Sequence, residues 1–167
     1  MIRFYTMILL FLLVFINLTS AQNKNIDNLI KKYSTMEGFT SVHVKDPAKT
    51  LPAANKQNAK ELKDVLDGVD VLKIIACDPS KAKNPAVVSQ FNNELTNLNP
   101  GEGFKEAISV KEKNGYVKMF IKQTSDKVTD LLMIASEGSQ ITMIWFNGTL
   151  DLTKLTNAAK VLPNLLK

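Results

Sequence analysis

The side chains able to do chemistry are few and scattered. His43 is the only histidine and Cys77 the only cysteine among 167 residues. A catalytic zinc site needs several His or Cys ligands, and a Ser-His-Asp arrangement would have to use His43. The segment around it alternates: Val42 and Val44 point one way, Ser41, His43 and Lys45 the other. That places His43 on the polar side of a half-buried strand, as an ordinary surface histidine. Cys77 ends the apolar run Val71 to Cys77, which predicts a buried thiol. A single cysteine closes no intrachain disulfide, and in an exported chain the alternative is a bond to another molecule.

The carboxylates offer Glu61 with Asp64 and Glu102 with Glu106, spacings that could serve acid/base work. Any chain with 16 acids contains such pairs, and no apolar pocket flanks either in sequence, so both read as solvated. Gly101-Glu102-Gly103 is shorter than a dinucleotide fingerprint and precedes a strand, whereas a phosphate loop opens a helix. Asn147-Gly148-Thr149 matches a glycosylation sequon, but the Asn-Gly pair reads as a turn. No residue is assigned a catalytic, cofactor-binding or metal-binding role, and no cofactor is expected.

The elements that would have to position any site centre on Phe104 to Asn147, four consecutive strands. Asn114-Gly115 is the strongest short hairpin signal, because a type I′ turn needs positive φ at both central residues. A loop there sets Val110 opposite Met119 and Ile108 opposite Ile121. Lys111 and Ser109 then share the other, wetter side with Lys118 and Phe120, so helices should cover the Val110 side. A second hairpin turns at Ser136 to Ser139, with Ile134 opposite Ile141 and Leu132 opposite Met143. Its strands are apolar on both sides, as central strands are.

Around this block the spacing predicts helices over 25–34, 54–66 and from Pro85 to Leu98, with Asn84 as cap and Pro85 at the first helical position. Strands are expected at 40–45 and 69–77, and Asp46 to Ala53, carrying Pro47 and Pro52, reads as irregular. Asp151 should cap a final helix with a stripe through Leu152, Leu155, Ala158, Ala159 and Leu162. The fold class is α+β: a mostly antiparallel sheet of about six strands, with amphipathic helices packed chiefly on one face.

Residues 1–21 carry Arg3, an apolar core from Met7 to Ile16, and the small-residue site Thr19-Ser20-Ala21, the pattern of a signal peptide. The apolar run is short for a membrane span, so no stable span is expected after cleavage. The protein is therefore expected to be exported, periplasmic or secreted, as a single domain over 22–167. Losing Arg3, the only arginine, leaves 20 lysines against 16 acids, a mild basicity that suits solubility. Nucleic-acid sites favour the arginine fork, so no nucleic-acid partner is expected.

Two stretches carry a resemblance. One is Tyr33-Ser34-Thr35-Met36-Glu37-Gly38-Phe39-Thr40-Ser41-Val42. The other is Leu150-Asp151-Leu152-Thr153-Lys154-Leu155, just after Asn147-Gly148. With the export signal they resemble the domain-of-unknown-function 4252 family of Bacteroidetes envelope proteins. The resemblance implies a small exported bacterial domain and carries over no catalytic residue. Family members are often lipoproteins; Gln22 stands where a lipoprotein would carry cysteine.

The expected function is a non-catalytic module that binds a protein or ligand through its sheet, because no polar motif is clustered. The partner would be an envelope protein or a second copy of the chain. The candidate interaction face comprises Leu131, Met133, Ile144 and Phe146 on one side of the second hairpin, with Met143 and Trp145 on the other. It stays open only if helices cover a single face and Asp46 to Ala53 does not fold across. Two alternatives remain: a small hydrolase-like envelope enzyme with a dispersed site, and an accessory in envelope-stress or sigma-factor signalling.

Overall fold

The computed structural model describes residues 24–54, 59–138 and 140–151. The strands are β1 (Phe39–Lys45), β2 (Val69–Cys77), β3 (Phe104–Glu112), β4 (Gly115–Thr124), β5 (Lys127–Glu137) and β6 (Gln140–Leu150). They form one sheet in the order β1-β2-β6-β5-β4-β3, with every neighbouring pair antiparallel. The unbroken apolar runs of β5 and β6 occupy the middle, where both faces are buried.

The helices are α1 (Lys24–Tyr33), α2 (Pro47–Ala54), α3 (Ala59–Leu66) and α4 (Pro85–Thr96). The start of α4 follows its sequence signal: Asn84 caps by accepting from the Ala86 N–H, and Pro85 opens the first turn. Asp46 to Ala53 is largely helical rather than irregular. Pro47 stands at a first helical position, where its missing N–H costs nothing, and the Asp46 carbonyl accepts from the Lys49 and Thr50 amides. Residues 55–58 and the final helix expected after Asp151 lie outside the described residues, as does the expected signal segment.

Two apolar clusters sandwich the sheet. On one face Ile26, Leu29 and Tyr33 of α1 and Phe91 and Leu95 of α4 meet Ile75, Phe120, Leu132, Met143 and Trp145. Tyr33, Phe39 and Phe91 stack at this face with ring centroids 4.8 to 5.2 Å apart. On the other face Ala48 of α2 and Leu66 of α3 join Val42, Val44, Leu72, Ile74 and Phe146. The longer helix pair thus lies on one face and a shorter pair lies on the other, toward the β1 edge.

Both hairpins close two residues away from the sequence expectation. Glu112 pairs with Gly115 and Val110 with Val117, so the first loop is Lys113-Asn114. Glu137 pairs with Gln140 and Ile134 with Met143. Among the described residues the non-glycine positive φ angles fall at Asp46 and Ser125 alone, and Gly115 has none, so the first turn is not type I′. Gly115 is required by crowding instead: a Cβ there would lie 2.0 Å from the Ser136 carbonyl oxygen on β5. Asn147-Gly148 is not a turn either. Both residues lie within β6, at a bulge where pairing steps from Val69 opposite Gly148 to Val71 opposite Asn147.

Candidate functional site

The six residues of the expected interaction face all lie in the two central strands. Met143 and Trp145 sit beneath α1 and α4, and Leu131, Met133, Ile144 and Phe146 line the opposite face. Met133 is half-buried and the other five are buried. Central strands are covered from both sides, so five of these side chains are core, and Met133 keeps part of its surface exposed. His43 is exposed on the edge strand β1, directly opposite Lys73 of β2, and Cys77 is buried. Burial pushes the Cys77 thiol above its usual range, and the Asp78 carboxylate adds to this. Among the described residues no three His, Cys, Asp or Glu side chains gather to hold an ion.

Among the described residues the one strongly buried carboxylate is Asp130, near the start of β5 and only 4% exposed. The pairing of β5 with β6 puts Asn147 opposite it, and Trp145 is a diagonal neighbour. The Trp145 Nε1–H donates to Asp130 Oδ1 at 3.2 Å and the Asn147 amide donates to the same oxygen at 2.9 Å. The Thr129 hydroxyl donates to Oδ2 at 3.2 Å. Across the sheet the Lys73 ammonium lies 4.7 Å from the Trp145 ring centroid and pairs with Asp27 of α1 at 2.6 Å. The chain Asp27–Lys73–Trp145–Asp130–Asn147 therefore ties α1, β2, β6 and β5 together at one end of the sheet. The carboxylate accepts from three neutral donors, and no histidine or nucleophile is bonded to it, so its work is to lock the sheet.

The β3–β4 hairpin reverses the expected coverage. The wetter side faces inward: the Tyr116 hydroxyl bonds Asn92 and Thr96 of α4, and the Lys118 ammonium donates to the Thr96 carbonyl at 2.7 Å. A bulge at Ala107, between Glu106 and Ile108, switches strand faces and brings Phe104 to the same side. The apolar side faces out. Ile108, Val110 and Val117 are 44%, 47% and 37% exposed, the large exposed hydrophobic side chains among the described residues. Val110 and Val117 border a depression of about 510 Å³ over Gly115 and Ala135, whose rim carries Glu112 and Glu137.

Geometry explains why this surface is bare. The helices are offset diagonally: α1 and α4 cover one face, and α2 and α3 cover the other near β1. Among the described residues, two corners are left uncovered. On β1 the open corner is polar, with Ser41, His43 and Lys45 exposed. On β3 and β4 it is apolar. Sequence periodicity identified the apolar stripe, but which side the helices take depends on polar contacts from α4 that no local pattern displays.

The sequence matches the family described as a domain of unknown function (DUF4252) over residues 33–158. No curated protein and no solved structure matches the chain. Among the described residues, no helix is long and apolar enough to cross a membrane.

Proposed function

We propose that this chain, which belongs to the DUF4252 family, is an exported, non-catalytic binding module that contacts a partner protein through the outer face of its β3–β4 hairpin. The observation that carries the reading is the inversion of that hairpin: Tyr116 and Lys118 of its polar side bond α4 while Ile108, Val110 and Val117 face out. Contiguous exposed apolar surface with a polar rim marks interaction sites, and Glu112 and Glu137 supply that rim. The edge strand also carries Lys105, Glu106, Lys111 and Glu112 and a bulge, which protect it against indiscriminate strand pairing. Side-chain docking on the face suits such an edge better than strand addition.

Val110→Lys tests the reading, because position 110 is exposed and a charge there should leave stability within ~0.5 kcal/mol. Wild-type protein should capture a partner from envelope extract, or dimerise in light scattering, and the folded Val110→Lys variant should do neither. A wild type that is monomeric and captures nothing, or a variant that binds equally well, refutes it.

A further inference from the structure

A second surface, separate from the β3–β4 face, lies between the two helices of the larger pair. A cleft of about 450 Å³ separates α1 from the end of α4 and the segment after it, within the range of small-molecule sites. Four asparagines face it: Asn25 and Asn28 from α1, and Asn97 and Asn99 from beyond α4. Three of them are oriented by local bonds that leave their other ends open. Asn25 donates its amide to the Asn99 carbonyl, which leaves its own Oδ1 as acceptor. Asn97 donates its amide to the Asn93 carbonyl and side-chain oxygen, again leaving Oδ1. Asn99 accepts from the Gly101 amide, which leaves its NH₂ as donor. Asn28 is exposed and contributes both kinds of group.

The electrostatics narrow the ligand. Lys32 and Glu94 also line the cleft, but they are paired with each other. The hydrogen bond to Glu94 is the main cause raising the Lys32 pKa. Burial alone would raise Glu94, but its bonds to Lys32 and its neighbours bring it below the usual carboxylate range. Neither charge is left over for an ionic ligand. Behind the pair, the Tyr33 hydroxyl is buried. The remaining lining is apolar, from Leu29 and Leu98.

The length narrows it further. The Asn25–Asn99 bond closes one end and the Lys32–Glu94 pair bridges the other. Seven helical residues separate them, a span of roughly 10 Å at 1.5 Å per residue. An extended peptide fits only about three residues in that distance. A compact ring bearing several hydroxyls meets donors and acceptors on both walls and can lay an apolar C–H face on the two leucines.

We propose that the α1–α4 cleft binds a neutral saccharide of one or two rings, held by the amides of Asn25, Asn28, Asn97 and Asn99. The test is an amide-resolved NMR titration of the purified chain with three neutral disaccharides, cellobiose, maltose and N,N′-diacetylchitobiose. Glucuronate and triglycine form the comparison arms. At ~10 mM ligand, enough for a millimolar site, at least one disaccharide should shift the side-chain amides of the four asparagines. Asn28→Ala, an exposed change, should weaken that binding about five- to tenfold, the loss of roughly one hydrogen bond, with the spectrum otherwise intact. Absence of shifts with all three disaccharides, shifts with triglycine or glucuronate alone, or unchanged affinity in Asn28→Ala overturns the proposal.

Discussion

Removing the Asp130 carboxylate should expose how much the polar chain at the sheet's end contributes. In Asp130→Ala three donors lose their acceptor: the Trp145 Nε1–H, in a residue only 4% exposed, the Asn147 amide, which is half-buried, and the Thr129 hydroxyl, which can turn to the Lys122 carbonyl. An unsatisfied buried donor costs about 1–3 kcal/mol, and the Trp145 N–H falls in that range because the packed ring cannot turn toward water. Asn147 can partly rehydrate, so its share is about 1 kcal/mol or less. The carboxylate's own burial works in the opposite direction, since a desolvated charge is costly and its removal returns part of that cost. The donors outweigh this because they remain in place after truncation, and the expected net loss is about 2–4 kcal/mol. Asp130→Asn keeps an oxygen able to accept from both Trp145 and Asn147, and should lose about 1 kcal/mol. Trp145 is the single tryptophan, so its emission in urea titrations reports on the same ring that the network holds. If Asp130→Ala lies within ~0.5 kcal/mol of wild type, the donors are not held by this carboxylate. If Asp130→Asn is as damaging as Asp130→Ala, charge rather than accepting capacity is what matters, and the reasoning fails.

Gly68→Ala and Gly148→Ala should each lose about 2 kcal/mol or more, because both backbones have positive φ (84° and 136°) and an added Cβ would lie 2.3 or 2.4 Å from a facing carbonyl oxygen. Gly138→Ala is the control: its φ is also positive at 58°, but no atom lies within 4 Å, so chemical denaturation should show about 1–2 kcal/mol at most. Cys77 should be inert to a thiol-reactive disulfide reagent at pH 8 in the native state and react fully in urea, since burial both blocks the thiol and raises its pKa; rapid native labelling would contradict this. In the same vein Cys77→Ser should cost about 1–3 kcal/mol for burying a hydroxyl, whereas His43→Ala should stay within ~0.5 kcal/mol, both read from urea midpoints.

Much of the sheet was legible because strand periodicity survives errors of register. Both hairpins close two residues from where the turn signals placed them, yet a shift of two returns each side chain to its expected face, and only a shift of one would have exchanged the faces. Ile134 therefore faces Met143 rather than Ile141 and still lies in the same cluster. The turn chemistry misled for a definite reason. Glycine after asparagine signals positive φ, but Gly115 answers to the Ser136 carbonyl lying against it from β5. That contact joins strands whose proximity no local window displays. The bulges at Ala107 and Asp70 were invisible for the same cause, since each is defined by its partner strand. The role of Asp130 as the common acceptor for Trp145 and Asn147 needed the true register, which sets Asn147 opposite it.

Surface exposure was the least legible property, and here a single amphipathic pattern has two readings. Ile108, Val110 and Val117 form a stripe that a hairpin normally turns toward its helices. The protein turns it outward because the other side of the same hairpin is bound to α4 by Tyr116 and Lys118, while Phe104 and Phe120 fill the gap beneath. All four of those anchors have a long apolar body, so a side that reads as wet still buries apolar surface. The stripe left outside is then a choice between two workable coverings. In a chain whose other uncovered corner is polar, with Ser41, His43 and Lys45, an apolar corner is the exception that a solvated surface does not account for. The same packing that makes Leu131, Met143 and Trp145 core therefore leaves β3 and β4 as the place for the proposed interaction surface. A lysine at 110 should silence binding there without unfolding, whereas a lysine at Met143 should unfold the chain.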